Sequence, residues 1–150
     1  MKFRLAQFVV LVLCLMLVSA KTQAEKGYKV LFEGKQFNVA VAITRQDRLR
    51  GLMGRNQLEK DEGLLIVLPE SGQVPVWMKN MKIPLDVIWI TYDGEIVDIR
   101  PLQPCRVDPC PIYKPRAAAK YILEVAEGNF TGKIGDTIAI FDASGDSLLP

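Results

Sequence analysis

Val87-Ile88-Trp89-Ile90-Thr91-Tyr92-Asp93-Gly94-Glu95-Ile96-Val97-Asp98-Ile99-Arg100-Pro101 is the stretch from which the architecture can be read. Residues 87–90 are apolar on both faces of an extended chain, which marks a central strand buried on both sides. Tyr92-Asp93-Gly94-Glu95 is a hairpin turn, because Asp-Gly supplies the positive φ angles of a tight connection. Residues 96–101 then form the antiparallel partner.

Just upstream, Val76-Trp77-Met78-Lys79-Asn80-Met81-Lys82-Ile83-Pro84-Leu85-Asp86 gathers an aromatic ring, two thioethers, two lysines, an amide and a carboxylate around one proline. An extended chain over residues 74–80 sends Val74, Val76 and Met78 one way and Trp77 and Lys79 the other. Trp77 or Met78 must therefore leave the main core face and either fill a second core or line a surface pocket. Pro84 has no N–H and pushes Ile83 out of the helical region, so the strand breaks there and restarts near Asp86.

Outward from these stretches the chain is rich in short strands. Residues 28–33 and 37–43 read as two strands joined at Gly34, the second with strict alternation of Phe37, Val39, Val41 and Ile43 against smaller or polar residues. Thr44 offers a helix cap, with Asp47 in the position of a capping-box acid, and residues 45–53 carry Leu49, Leu52 and Met53 at helical spacing before Gly54. Residues 63–68 are a continuous apolar run, and residues 69–73 read as a turn. Prolines at 104, 109, 111 and 115 forbid regular structure over 102–116. Residues 121–125 and 137–141 are the last strands, with a helical turn open over 117–120. About seven short strands and one short helix predict a mostly β (α+β) single domain, compact and barrel- or sandwich-like.

The N-terminus reads as a targeting segment. Lys2 and Arg4 precede the eleven-residue apolar run 8–18, followed by Val18-Ser19-Ala20 and Thr22-Gln23-Ala24. Spanning a bilayer takes roughly 18–20 such residues, so a cleaved signal over 1–24 is expected ahead of a domain over 25–150, with an uncleaved anchor as the alternative. Cys14 leaves with the signal. Without Lys2, Arg4 and Lys21 the 19 basic residues fall to 16 against 17 acidic ones. No Lys/Arg cluster remains to hold a phosphate backbone, so nucleic acid is not an expected partner. Membrane contact is expected only through the signal, and the location is secreted or periplasmic.

Cys105 and Cys110 form an even pair in an exported chain, which most simply makes a disulfide. Closing so short a loop stabilises by roughly 2 kcal/mol on the chain-entropy model. A redox pair is the alternative, against a spacing that is not Cys-x-x-Cys and the lack of a helix start to acidify a thiol.

The chain has no histidine, which excludes Ser-His-Asp and Cys-His catalysis and argues against an ordinary zinc site. It has no Walker loop, dinucleotide fingerprint or nucleophile elbow. Asp86, at the edge of an apolar strand, is either a turn residue satisfying strand-end N–H groups or a carboxylate paired with Lys79, Lys82 or Arg50. Glu124 shares a face with Ile122; an outward charge on an edge strand is the expectation. Met53, Met78 and Met81 either fill gaps in an apolar pocket or offer thioethers to Cu(I).

Arg50-Gly51-Leu52-Met53, Glu62-Gly63-Leu64-Leu65, Trp77-Met78-Lys79-Asn80 and Pro84-Leu85-Asp86 resemble the DUF192 (UPF0127) family. The resemblance continues through Asp93-Gly94-Glu95-Ile96-Val97, Pro104-Cys105, Cys110-Pro111-Ile112-Tyr113, Tyr121-Ile122-Leu123-Glu124 and Gly135-Asp136. Met81 stands where the family often has threonine and Leu64 where it often has methionine, which removes one familiar thioether. The resemblance implies a small β-rich, often exported domain, and no set of catalytic residues to carry over.

The expected function is therefore a non-catalytic exported module with no cofactor. It would bind a small molecule, glycan or envelope protein at Arg50, Trp77, Met78, Lys79, Asn80 and Asp86. A cell-envelope hydrolase or lyase using Asp86 and Met-lined Cu(I) binding are the alternatives. Arg50–Met53 and the 77–86 stretch should meet in space, Gly51 allowing close approach and Arg50 turning towards Asp86 or Asn80. Intact-mass analysis of protein from the periplasm or medium should show a chain beginning near Lys21 or Glu25; a full-length species lodged in the membrane is the contrary result.

Overall fold

The structure, a computed structural model, describes residues 27–150. The signal expected over 1–24, with Cys14, lies outside the described residues. The elements are β1 (Tyr28–Phe32), β2 (Lys35–Ala42), α1 (Arg45–Arg50), β3 (Glu62–Gly72), β4 (Val76–Trp77), β5 (Leu85–Ile90), β6 (Ile96–Leu102), β7 (Ile112–Tyr113), β8 (Ala119–Ala126) and β9 (Ala139–Phe141).

Seven strands form one sheet in the order β6-β5-β8-β3-β2-β1-β9. Every pairing is antiparallel except β2 with β3, which is parallel and needs the long crossover that carries α1. The Asp93-Gly94 hairpin links β5 to β6 as the sequence predicts, with Gly94 at φ 92°. The sheet curls into a half-barrel. Its ends approach where Ile96 N donates to Asp136 O at 2.9 Å and Ile138 N to Gly94 O at 3.0 Å.

The curl makes two cores from one sheet. Phe37, Leu65, Ile88, Leu123 and Ile140 fill its inside. Leu64, Ile66, Leu85, Val87, Trp89 and Ile122 face outwards into a second cluster with Leu52, Met78 and Met81. All six residues of β5 are buried, as expected of a strand covered on both faces.

Four local expectations change. α1 stops at Arg50 rather than reaching Met53, because Gly51 takes φ 48° and turns the chain towards the sheet. β3 runs on through Pro69 where a turn was expected; its ladder with β8 is irregular between Val67 and Gly72, which accommodates a residue without an N–H. The proline-rich loop does hold regular structure: Ile112 and Tyr113 keep their own N–H groups and pair with Trp77 and Val76. Residues 119–120 continue β8, so no helical turn precedes it. Cys105 and Cys110 are joined by a disulfide, their Cα atoms 5.7 Å apart.

Asp98, fully buried on β6, ties this loop to the sheet. Its carboxylate accepts from Ile99 N at 3.0 Å, Arg116 N at 3.1 Å and Arg100 Nη2 at 2.9 Å. Asp98→Ala should strand two backbone donors and cost about 3 kcal/mol in urea unfolding. A loss below about 1 kcal/mol would mean that water replaces the carboxylate.

Candidate functional site

A cleft of about 190 Å³ opens on the outer face of the sheet. One wall is α1 and the turn after it, with Arg45, Arg48, Leu49, Gly51, Leu52 and Met53. The facing wall is residues 74–79 with Met81. Ile66, Leu68, Leu85, Ile122 and Glu124 form the floor.

Local bonds set both walls. Thr44 caps α1, its hydroxyl accepting from Asp47 N at 3.1 Å. At the other end of α1, a Cβ built on Gly51 would lie 3.6 Å from Glu124 Oε2, so the backbone itself comes down to the carboxylate. On the facing wall, Met78 O accepts from Met81 N at 3.3 Å and Cys105 N at 3.1 Å. Asn80 sits in the left-handed region at φ 57°, a conformation asparagine tolerates. Gly54 N donates to Asn80 O at 3.1 Å, and Met53 Sδ lies 4.0 Å from Asn80 Nδ2. The two stretches singled out in the sequence therefore meet.

Trp77 and Met78 divide as alternation requires. Met78 is 2% exposed in the outer core, whereas Trp77 is 43% exposed at the cleft mouth. Lys79 Nζ stands 5.4 Å from the Trp77 ring centroid, a cation–π contact.

Of the six ligand candidates, Arg50, Trp77, Met78 and Lys79 line the cleft and Asn80 and Asp86 do not. Asp86 alternates with Leu85 and so lies on the inner face of the sheet, away from Arg50. Its Oδ2 accepts from Gly128 N at 2.8 Å and Phe130 N at 3.3 Å, the strand-end role. Burial raises its pKa, opposed by the N–H groups of Phe130 and Gly128.

Glu124 is the polar group the sequence reading placed wrongly. β8 lies between β5 and β3, so the residue is on an interior strand and not an edge. Its register partners are Leu64 and Val87, and burial pushes its carboxyl up to about 7. Among the described residues no ion pair or hydrogen bond engages that carboxyl. The available signal was its alternation with Ile122; the strand order was missing.

Met53, Met78 and Met81 all line the cleft, so its donors are three thioethers and one carboxyl. No cluster of three His, Cys, Asp or Glu residues occurs among the described residues.

The DUF192 family model, described as an uncharacterized ACR, matches residues 28–140. The chain belongs to the DUF192 family. This DUF192 domain is similar to the crystal structure of a candidate transcription regulator from Sinorhizobium meliloti 1021, at 29% identity and a TM-score of 0.66 over 74% of this chain and 89% of that one. It is also similar in fold to a protein of unknown function from Novosphingobium aromaticivorans DSM 12444, at 24% identity and a TM-score of 0.63 over 75% of this chain and 82% of that one. No curated protein matches the sequence. In the DUF192 domain the Arg50–Met53 and Trp77–Lys79 motif residues form opposite walls of one cleft.

Glu124 makes stability depend on pH. The folded state keeps the proton up to about pH 7, while the unfolded chain releases it near 4.5. Its contribution is therefore full below pH 4.5, falls as pH rises to 7 and is flat above, a change of about 3 kcal/mol. Relative to Glu124→Gln, the wild type should lose that order of stability between pH 4 and pH 8 in urea titrations. Parallel stabilities of the two proteins at both pH values would contradict the burial.

Proposed function

We propose that this DUF192 domain is an exported, non-catalytic module that holds a small ligand in the cleft between α1 and the Trp77 wall. The observation that carries this reading is an exposed tryptophan at the mouth of an apolar cleft whose floor ends in an unpartnered carboxyl. Binding sites for drug-sized molecules are about 300–1,000 Å³. At about 190 Å³ the cleft suits a smaller molecule, or one residue of a glycan or envelope protein.

A hydrolase or lyase has less support. Asp86 faces away from the cleft with its carboxylate engaged by backbone N–H groups, and Glu124 has no acid or base partner. Export is supported by the charge, apolar run and small-residue order of residues 1–24 and by the disulfide, which persists in oxidising compartments. No helix among the described residues is long and apolar enough to cross a membrane. Cu(I) is a second reading, favoured by the three methionines lining one cleft.

A thermal-shift screen of small metabolites, sugars and Cu(I) under reducing conditions tests both readings. A ligand at a hundred times its Kd adds about 2.7 kcal/mol. Trp77→Ala should abolish the shift for an organic ligand, while Met53→Leu should abolish it for Cu(I). Stabilisation by an organic ligand that survives Trp77→Ala unchanged would place binding outside this cleft.

A further inference from the structure

The cleft is electrically two-ended. Arg45, Arg50 and Lys79, all exposed, and Arg48, whose guanidinium donates to Ile43 O, contribute to its lining, and no ion pair among the described residues joins any of them to Glu124 on the floor. The rest of the lining is apolar, with Leu49 and Trp77 exposed at the mouth and Leu52, Met53, Met78 and Met81 below them. β3 and β5, which flank β8, bring only Ile66, Leu68 and Leu85 to the cleft, so the charged groups facing the Glu124 side chain come from α1 and the Trp77 wall.

We infer that the ligand is a small zwitterion with an apolar body, its amine seated on Glu124 and its anionic group at the Arg/Lys mouth. The inference rests on the small-ligand reading and names the chemical class. A simple anion would satisfy the mouth and leave Glu124 without a partner. A simple cation would reach Glu124 only past the like charges of the exposed Arg45, Arg50 and Lys79. An ammonium meeting the carboxylate makes a charge-assisted hydrogen bond, strengthened by the low polarity of the surrounding apolar lining. The anionic group meanwhile stays at the wet rim, where guanidinium forks donate to a carboxylate readily. The aliphatic walls and the Trp77 ring exclude a compact, strongly hydrated ion and favour a chain of methylenes or a ring between the two heads.

The pH response follows from the same arrangement. Glu124 holds its proton until about pH 7 in the empty cleft, so a bound ammonium must wait for its release or displace it. Affinity for the amine head therefore rises from pH 6 to pH 8.

The test uses 6-aminohexanoate, with hexanoate and hexylamine as single-headed controls, titrated calorimetrically into the mature protein. The two-headed probe should bind at least tenfold more tightly than either control, and more tightly at pH 8 than at pH 6. Glu124→Gln should bring its affinity down to that of hexanoate and remove the pH dependence. Arg45→Gln with Lys79→Gln should bring it down to that of hexylamine while keeping the pH dependence. Equal binding of hexanoate and 6-aminohexanoate overturns the inference and leaves a small-ligand cleft standing. Absence of binding by all three probes also overturns it; the small-ligand reading falls too only if the metabolite and sugar screen finds no Trp77-dependent ligand.

Discussion

The strand trio β5, β8 and β3 must be kept dry on both faces, and the rest of the molecule follows from that demand. Curling solves the problem on the inside, where the sheet covers itself with Phe37, Leu65, Ile88 and Leu123. The outside has no second sheet of comparable size. It is covered by one six-residue helix, the segment from 74 to 84 and a two-stranded ribbon. A helix that short has no stability of its own and holds its place only through the contacts it makes. Such a patchwork leaves a gap, and the cleft is that gap.

What the sequence made legible was whatever depends on neighbouring residues. Asp93-Gly94 declared the β5–β6 hairpin, the run at 87–90 declared burial on both faces, and Thr44 with Asp47 declared the helix start. The meeting of Arg50–Met53 with the Trp77 stretch was also within reach, because a short amphipathic helix must lie on something and the largest adaptable side chains were close by. What stayed hidden depends on pairing partners distant in the chain. Glu124 looks the same on an edge strand as on an interior one; only β3 and β5 on either side decide that it is buried. Asp86 illustrates the same limit, since the N–H groups that claim it come from residues 128 and 130. Asp98 drew no notice in the sequence because Arg116, eighteen positions on, is part of its explanation.

The buried acids of the sheet are told apart by what holds their carboxylates and not by the face they take: Asp98, opposite Trp89, lies on the same outer face as Glu124. Asp86, on the inner side, is anchored by backbone donors, and Asp98 on β6 by backbone and guanidinium donors together. Glu124, on the outer side, has neither. Among the described residues no buried side-chain oxygen lacks a partner, so the Glu124 carboxyl, unbonded to protein, opens into the cleft and offers its oxygens to whatever fills it. The contrast between the three acids separates the scaffold from the cleft more sharply than burial alone does.

The Trp77 wall is clamped by its main chain: Met78 O to Cys105 N on one side and Asn80 O to Gly54 N on the other. These bonds use no side-chain atoms. The disulfide and the β4–β7 ribbon hold the same wall from outside, again through backbone and cysteine alone. Residues 77 and 79 can thus exchange one side chain for another while the wall keeps its position. The fold behaves as a frame with a replaceable lining, and paralogues could diverge in what they accept without rebuilding the frame that accepts it.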